Sequence, residues 1–397
     1  MATLISFGLV SLAGLLCIPV LTLFVEVVAA LTISQEKPVV GAVVRKRVAV
    51  IVPAHNESSG IVPTIEDLRP QLGEKDRLIV VADNCSDDTA VVAERAGAEV
   101  IVRNDLQRIG KGYALGWGIS HINDNPPDFV VFVDADCRVQ SDAIDVLSKV
   151  CDNLQRPVQA SFLMRCNENS PINHSLAEFA FLLRNWVRPL GLKNLNFPVQ
   201  LMGTGMIFPW NLNRSAPLAN GHLVEDLKLG LDLAAAGKAP YFYPLVRVTS
   251  EFPVTAKGTD SQRQRWVQGH IEMILKAAPR LLLQSIARRN FDLLALTLDC
   301  LIPPLSLLCL LIIAMLVATS IAAFFGLSTA SLLVTTIDLL LFAAAVILAG
   351  ARFGREILLS SFSQSIGPLM LRRIRLYGGM LLGRTVSHWV RTDRGDH

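Results

Sequence analysis

Long uncharged apolar runs at both ends of the chain constrain its fold more than any other feature. Met1 to Val25 carries no charge, and Cys300 to Ile337 forms a second uncharged run. A third run, Leu339 to Ala351, follows the single charge of Asp338. Because a helix needs about 20 apolar residues to cross the hydrocarbon core of a bilayer, these runs predict one N-terminal membrane helix and two C-terminal ones. The region between them is predicted to be water-soluble.

A cleaved signal peptide is the alternative interpretation of the first run. Signal peptides have a basic n-region and a short apolar core. No Lys or Arg precedes Lys37 in this chain, and the run is too long for such a core. A retained membrane helix is therefore the preferred interpretation.

Basic residues predict the orientation of these helices. The expected hairpin between the two C-terminal helices, Gly326-Leu327-Ser328, contains no basic residue, and Pro303-Pro304 lies near the start of the first of them. The other ends of the apolar runs are followed by Lys37, Arg45, Lys46 and Arg47, and by Arg352, Arg355, Arg372, Arg373 and Arg375. Since positive loops stay in the cytoplasm, the central region and the C-terminal tail are predicted to be cytoplasmic. The predicted localisation is an integral membrane protein, in the bacterial inner (plasma) membrane.

Four segments follow from this pattern. We expect an N-terminal transmembrane helix at 1–32, a cytoplasmic domain at 45–280, two transmembrane helices at 293–351 and a basic, amphipathic interfacial tail at 352–397.

The formal net charge of +3 is too small to indicate a nucleic-acid partner. The seven cysteines show no CxxC pair, so free thiols are expected.

The soluble region alternates between strand-like and helix-like segments. Short apolar, β-branched runs predict buried strands, and helix-like stretches such as Asp87 to Ala96 and Lys111 to His121 separate them. This alternation predicts an α/β fold with a parallel sheet and helices on both faces. The strand-like runs are Arg47–Pro53, Arg77–Asp83, Ala98–Val102 and Asp128–Asp134.

Polar side chains cluster where these predicted strands end. In open α/β sheets ligands bind beyond the carboxyl ends of the strands, so these side chains are predicted to share one edge. The clusters are His55-Asn56-Glu57, Asp83-Asn84 and Asp134-Ala135-Asp136.

The aspartates among these residues have both functional and purely local interpretations. Asp134 and Asp136 are suited to hold a hard cation that carries a diphosphate, although a loop-capping pair is the alternative. Asp83, at a strand end, is suited to accept a hydrogen bond from a nucleobase or a ribose. Asp87 and Asp88, by contrast, fit turn and N-cap chemistry.

Three further segments carry candidate groups. Lys111, between Gly110 and Gly112, offers a charge to a phosphate, although the P-loop spacing is absent and a solvated lysine is the alternative. Glu225 and Asp226 precede an amphipathic run. They are either acids that stabilise the N-terminus of a helix, or Asp226 is a general base. The remaining segment contains Gln262, Arg265 and Trp266. Arg265 is suited to bind a pyrophosphate and Trp266 to stack on a sugar ring. The alternative is an amphipathic helix at a membrane surface.

Taken together, these motifs resemble the family 2 glycosyltransferases, in particular the membrane branch with cellulose, hyaluronan and poly-N-acetylglucosamine synthases and ceramide glucosyltransferases. The resemblance covers roughly Val48 to His270 and implies a GT-A-type, Rossmann-like domain with a predominantly parallel sheet, flanked by membrane helices. The motifs that carry it, in order, are Pro53-Ala-His-Asn-Glu57, Asp83-Asn-Cys-Ser-Asp87-Asp88-Thr89, Gly110-Lys111-Gly112, Asp134-Ala-Asp136, Gly203-Thr-Gly-Met206, Glu225-Asp226 and Gln262-x-x-Arg265-Trp266.

The resemblance implies a role for each matching position. Asp226 matches the family's catalytic base, preceded by Glu225, and Asp136 with Asp134 would hold Mg²⁺ or Mn²⁺ on the diphosphate. Lys111 and Asp134 would contact the nucleotide-sugar. The nucleoside pocket would consist of Pro53, His55, Glu57 and Asp83, and the diphosphate and acceptor would lie near Gln262, Arg265 and Trp266.

The function implied is an inverting, metal-dependent hexosyltransferase. It would use a UDP-sugar donor and a lipid, lipid-linked or growing glycan acceptor at the cytoplasmic membrane face, in cell-envelope or exopolysaccharide synthesis. A processive polysaccharide synthase is the alternative, but three membrane helices hardly enclose a polymer channel unless the chain forms a homo-oligomer or has an export partner. An inactive scaffolding or sensing subunit of an export complex is the remaining alternative.

Overall fold

The computed structural model describes residues 2–32, 45–166, 174–213, 224–253, 255–361 and 373–379. The chain divides into two compact units. The membrane unit comprises Met1–Ile33, Ser175–Phe197 and His270–Thr385, and the sheet unit comprises Ser34–His174, Pro198–Gly269 and Val386–His397. Most of the predicted interfacial tail, including Arg372, lies outside the described residues, as does Lys37.

The described strands all belong to the sheet unit. They are β1 (Val48–Ala54), β2 (Arg77–Asp83), β3 (Glu99–Arg103), β4 (Phe129–Phe132), β5 (Arg138–Val139), β6 (Val158–Arg165), β7 (Met206–Pro209) and β8 (Tyr241–Glu251).

The described helices alternate with these strands and then continue to the C-terminal part of the chain. They are α1 (Ala2–Ala30), α2 (Ile61–Leu68), α3 (Thr89–Arg95), α4 (Lys111–His121), α5 (Ala143–Leu154), α6 (Ser175–Leu182), α7 (Arg188–Asn194), α8 (Trp210–Asn213), α9 (Glu225–Ala235), α10 (Ala256–Glu272), α11 (Ala278–Ala287), α12 (Phe291–Cys300), α13 (Leu305–Phe324), α14 (Thr329–Phe353) and α15 (Arg355–Ser361). π-Helical turns at Leu183–Val187 and Met273–Ala277 join α6 to α7 and α10 to α11.

The four predicted strands are β1 to β4, and they pair in parallel in the order β3-β2-β1-β4. Ile51 on β1 lies beside Ile79 on one side and Phe132 on the other, and all three side chains are fully buried. Buried β-branched and aromatic residues favour strands in the middle of a sheet. Because the register is parallel, β1, β2 and β4 end at the same edge, as predicted.

The other half of the sheet is mixed, within a sheet that the sequence predicts to be predominantly parallel. β7 pairs antiparallel with β4 and with β6, while β6 and β8 pair in parallel and β5 pairs antiparallel with β8. Helices separate β5, β6, β7 and β8 as well, so strand–helix alternation alone does not determine the direction of these strands. Since Phe132 lies beside Met206, the segment Gly203-Thr204-Gly205 before β7 lies at the edge where β4 ends.

Among its described residues, the membrane unit contains three helices long and apolar enough to span a membrane: Thr3–Ala30, Leu305–Phe324 and Thr329–Phe353. One is N-terminal and two are C-terminal, as the apolar runs predict. The turn between the second and third includes the predicted Gly326-Leu327-Ser328 hairpin. The three helices share a buried apolar cluster that includes Leu23, Ile312 and Ala345.

A buried ion-pair cluster connects three elements of the membrane unit. The guanidinium of Arg188, at the start of α7, donates from Nε to Glu26 of α1 at 3.1 Å. It also donates from Nη2 to the backbone carbonyl of Asp299 at 2.7 Å and pairs with the Asp299 carboxylate of α12. Nearby, a Cβ on Gly191 would lie 1.9 Å from the Glu26 carbonyl oxygen, so α1 and α7 can approach this closely only with glycine there.

Removing the cation from this cluster should destabilise the membrane unit. Arg188→Met leaves two buried carboxylates without their counter-charge, and breaking a buried pair in this way costs about 3–5 kcal/mol. We expect a clearly lower thermal unfolding temperature in detergent than for Arg355→Met, which changes an exposed arginine of the same unit. Adding Glu26→Gln and Asp299→Asn to Arg188→Met should restore part of the loss. Equal stability of Arg188→Met and Arg355→Met would contradict this account.

Candidate active site

The ends of β1 and β2 are joined by hydrogen bonds from the residues that follow them. His55 Nδ1 lies 2.7 Å from the backbone carbonyl of Asp83, so this nitrogen donates. The side-chain oxygen of Asn56 accepts from the backbone N–H of Ser86 at 2.7 Å. Both Asn56 and Asn84 have a positive φ, of 54° and 51°, a conformation that asparagine tolerates better than most residues. The motifs at the two strand ends therefore form one connected rim.

Asp83 is held by an arginine that the sequence analysis did not select. Its Oδ1 accepts from Arg103 Nη1 at 2.6 Å and from Asn84 Nδ2 at 3.2 Å. Arg103 also donates to Asp105 at 2.9 Å and to the Arg108 carbonyl at 2.8 Å. Burial raises the pKa of Asp83, while Arg103 acts to lower it. Asp83 and Arg103 are register partners on β2 and β3, so the sequence signal for Arg103 was its place at the end of the predicted third strand.

Lys111 is the centre of the charged part of the site. It begins α4 and donates to the backbone carbonyl of Gly203 at 2.9 Å, and it forms an ion pair with Asp134. Gly203 has a φ of 88°, and a Cβ there would lie 3.1 Å from Asp226 Oδ2 and 3.2 Å from Lys111 Nζ. The loop before β7 therefore brings Lys111, Asp134 and Asp226 together and needs glycine to do so.

The electrostatics of this cluster are dominated by carboxylates. Burial lowers the pKa of Lys111, but Asp134, Glu225 and Asp226 outweigh burial and raise it. Burial and the neighbouring Asp226 raise the pKa of Glu225 to about 7, against the effect of Lys111. Burial also lowers the pKa of Arg265, and Glu225 and Asp134 oppose that change. Three acidic side chains thus lie around two basic ones, and burial with repulsion between the acids keeps Glu225 partly protonated near neutral pH.

Asp136, the second acid of its motif, is oriented by β8. It accepts a hydrogen bond from Ser250 Oγ at 3.0 Å. The backbone N–H of Asp134 donates to Thr204 Oγ1 at 3.0 Å, so the loop before β7 also supports the first acid. The described residues contain no group of three or more His, Cys, Asp or Glu side chains arranged to hold a metal. A cation here would take its protein ligands from this pair of aspartates, and its other ligands from substrate or water.

A buried glutamine, Gln159 on β6, supports the loop and was also missed by the sequence analysis. Its Nε2 donates to the carbonyl of Thr204 at 2.9 Å, and its Oε1 accepts from the N–H of Met202 at 2.8 Å. Gln159 is fully buried. The signal that could have identified it was a glutamine near the start of a mostly apolar strand, Val158–Arg165.

The remaining candidate residues occupy the same unit. Pro53 lies within β1, and the N–H of Glu57 donates to Thr89 Oγ1 at 2.8 Å at the rim. Gln262 is buried on α10, and Trp266 on the same helix is half-buried. Five candidate residues lie close together in the structure: Lys111, Asp134, Glu225, Asp226 and Arg265. His55 and Asp83 lie along the rim.

In open α/β sheets ligands bind beyond the carboxyl ends of the strands, and here β1, β2 and β4 end at one edge with polar and acidic side chains. The family described as Glycosyltransferase like family 2 matches residues 45–269. The chain belongs to glycosyltransferase family 2.

Two curated relatives share parts of this sequence. The chain is 25% identical to the probable glycosyltransferase YdaM of Bacillus subtilis (strain 168) over 265 residues, which is 62% of this chain and 60% of that protein. It is 34% identical over 97 residues to glucosyl-3-phosphoglycerate synthase of Mycobacterium tuberculosis, 23% of this chain and 29% of that protein. Neither match spans two thirds of the relative's length.

A solved structure resembles the chain over most of its length. The mannosyltransferase PcManGT of Pyrobaculum calidifontis, determined with GDP-Man and Mn²⁺, superposes with a TM-score of 0.52 at 18% identity. The match covers 89% of this chain and 98% of that one. The likeness confirms the predicted fold, a GT-A-type α/β sheet accompanied by three apolar helices.

Loss of the Gln159 amide should destabilise the sheet unit. Gln159→Leu leaves the Thr204 carbonyl and the Met202 N–H without these partners, and a buried unsatisfied group costs about 1–3 kcal/mol. We expect a lower unfolding temperature, measured by thermal denaturation, than for Gln107→Leu, which alters an exposed glutamine. A variant as stable as the control would show that the loop does not depend on this amide.

Stability should fall as pH rises through the range in which Glu225 titrates. Its pKa in the folded protein, about 7, lies above its ordinary value of 4.5. The folded state therefore binds this proton more tightly than the unfolded state does. The stabilisation from protonated Glu225 is fully present below about pH 4.5 and is lost as the pH rises to about 7. Comparing unfolding of the wild type and Glu225→Gln across this range measures the effect. Parallel pH profiles of the two proteins would contradict the assignment.

Proposed function

We propose that this protein is an inverting glycosyltransferase that moves a hexose or N-acetylhexosamine from a UDP-sugar to a lipid, lipid-linked or growing glycan acceptor. The reaction takes place at the cytoplasmic face of the membrane, in cell-envelope or exopolysaccharide synthesis. The observation that supports it most is the convergence of Lys111, Asp134 and Asp226 at Gly203. A phosphate-binding cation, a metal-ligating acid and a base are all needed at one point for this reaction.

The hydrogen bonds of Asp83 favour uridine over guanosine donors. Oδ1 already accepts from both Arg103 and Asn84, which uses both of its lone pairs. Oδ2 is left to receive the single N–H that uracil presents between two carbonyl groups. Guanine presents two adjacent donors and pairs best with both oxygens of a carboxylate, so Asp83 is less suited to it.

The acids of the Asp134-Ala135-Asp136 motif fit a hard divalent cation. Mg²⁺ is commonly held by one or two carboxylates together with substrate phosphates, and the surrounding carboxylates offer the net negative charge that favours a cation. Asp136 and Asp134 are the residues proposed to hold Mg²⁺ or Mn²⁺. When bound, the metal neutralises charge on the diphosphate leaving group.

The chain's own residues then carry the transfer. Asp226 accepts the proton of the acceptor hydroxyl while its oxygen forms a bond to the anomeric carbon and the bond from that carbon to the diphosphate breaks. Lys111 and Arg265 stabilise the negative charge that develops on the departing UDP. Attack from the face opposite the leaving group inverts the anomeric configuration.

The remaining assignments complete the site. Pro53, His55 and Glu57 are proposed to line the nucleoside pocket beside Asp83. Gln262 and Trp266 are proposed to lie near the diphosphate and the acceptor, with Glu225 next to the base.

The membrane helices support an acceptor that resides in the bilayer. The part of the chain that the structure describes contains three helices long enough to span a membrane. Three helices are too few to enclose a polymer, which favours a single addition over a processive synthase. A homo-oligomer or an export partner would be needed for secretion of a long product. The inner membrane of a bacterium is the proposed location.

The proposal predicts distinct consequences for two variants. Asp226→Asn keeps the size of the side chain but removes its basicity, and we expect at least a hundredfold loss of transfer, since general bases contribute about 10²–10⁴-fold. Asp136→Ala should abolish the metal-dependent reaction. Both proteins should keep the unfolding temperature of the wild type. Near-normal transfer by either variant would remove that residue from its proposed role.

The stereochemistry of the product provides an independent check. With an α-linked UDP-sugar, nuclear magnetic resonance of the product should show a β-linkage. An α-linked product would contradict the inverting mechanism while leaving transferase activity itself intact.

A further inference from the structure

A buried aspartate interrupts the apolar interior of the membrane unit. Asp338 lies in the middle part of α14, and 0% of its surface is exposed. It belongs to the side of α14 on which buried positions recur every three or four residues, the spacing of a helix–helix seam. These positions, in order, are Ser331, Thr335, Asp338, Phe342, Ala345 and Ala349. The last three share an apolar cluster with α1 and α13, so the carboxyl group is enclosed between membrane-length helices.

The carboxyl group of Asp338 lacks the donors that a carboxylate needs. Neither of its oxygens accepts a hydrogen bond from the N–H and O–H groups of the described residues. The Cys17 thiol of α1 interacts with it, but a thiol is a weak donor. Buried hydroxyls of the spanning helices donate within their own helices instead. Thr335 donates to the Ser331 carbonyl at 2.9 Å, and Thr319 donates to a carbonyl of α13 at 2.8 Å.

The three described spanning helices also offer no counter-charge near Asp338. α13 contains no charged residue, and α1 contains only Glu26, which already pairs with Arg188. The other charge on α14, Arg352, lies about 21 Å away along the helix axis, at about 1.5 Å per residue. An ionised carboxylate that is buried without a partner is so costly that the group takes up a proton instead.

Polar side chains connect Asp338 with one end of α14. Ser328, at the hairpin between α13 and α14, caps the helix by accepting from the N–H of Ser331 at 3.3 Å. Ser331, Thr335 and Asp338 then follow one another on the buried seam, about one turn apart. Beyond Asp338 the seam continues with Phe342 and alanines, which have no polar side-chain atom. The hydroxyls of the seam therefore lie between Asp338 and the hairpin.

We propose that Asp338 is an intramembrane proton-binding site. Its carboxyl group carries a proton in the folded membrane unit and exchanges it with water at the hairpin through the hydroxyls of Thr335 and Ser331. The proton adds to one carboxylate oxygen and returns to water when it leaves, so the exchange needs no other reactant. This inference does not depend on the proposed transferase reaction.

Infrared difference spectroscopy of the full-length protein tests the bound proton. The protein is placed in nanodiscs of ether-linked phosphatidylcholine, because ester carbonyls would overlap the acid band. At neutral pH, the wild-type spectrum minus that of Asp338→Asn should contain the carbonyl stretch of a protonated carboxylic acid. The matched control Asp124→Asn changes an exposed aspartate of the sheet unit and should retain that band. Loss of carboxylate bands alone in Asp338→Asn would overturn the site.

Isotope labelling of the wild type keeps the test decisive if Asp338→Asn does not fold. With ¹³C in the side-chain carboxyl of aspartate, an acid band from Asp338 shifts to lower frequency, whereas a band from Glu26 or Glu225 does not. The absence of any shifted acid band would overturn the proposal. Exchanging potassium for sodium in the buffer should leave the band unchanged. Conversion of the acid band to carboxylate bands by sodium would overturn the proton assignment and indicate a metal cation.

The exchange route is tested by transfer into D₂O, which lowers the frequency of the acid band as the proton is replaced. Thr335→Val keeps the shape of the side chain but removes its hydroxyl, and we expect exchange to become several-fold slower. Thr336→Val is the matched control, since Thr336 makes the same type of bond, to the Leu332 carbonyl at 2.8 Å, but is only half-buried. Equal exchange rates in the two variants would overturn the route.

Discussion

The candidate site of the sheet unit depends on the ion pair between Lys111 and Asp134. Two further acids, Glu225 and Asp226, lie near this pair. The ion pair forms only because the loop before β7 passes between α4 and α9 with glycine at position 203, where a side chain would meet both Lys111 and Asp226. Burial and the neighbouring Asp226 raise the pKa of Glu225 in this cluster. A divalent cation bound with a diphosphate would add positive charge beside these acids and negative charge beside Lys111.

Much of this arrangement could be predicted from the sequence because the parallel half of the sheet has a strong local signal. The apolar runs at β1, β2, β3 and β4 are short, β-branched and followed by polar residues, and parallel strands bring those polar residues to one edge. β2 and α4 occupy the residues predicted for them, Arg77–Asp83 and Lys111–His121. The three apolar helices could be predicted equally well, since their length and their lack of charge identify them.

The rest depends on contacts between residues far apart in the chain. Local sequence can mark Gln159 and Arg103 as polar residues in or beside strands. Their partners, the Thr204 carbonyl and Asp83, are known only once the strand register is known. The antiparallel strand β7 was missed for the same reason. In the membrane unit, Glu26, Arg188 and Asp299 are each an isolated charge in an apolar context, and only the folded structure shows that they compensate one another.

The measurement that tests the account most directly is a structure of the full-length protein in nanodiscs with UDP and Mn²⁺. The account predicts uracil against Asp83 Oδ2, the metal between Asp136 and the diphosphate, and Lys111 turned from Asp134 toward a phosphate oxygen. A nucleotide bound away from the β1, β2 and β4 strand ends, or a metal held by residues other than Asp134 and Asp136, would contradict it.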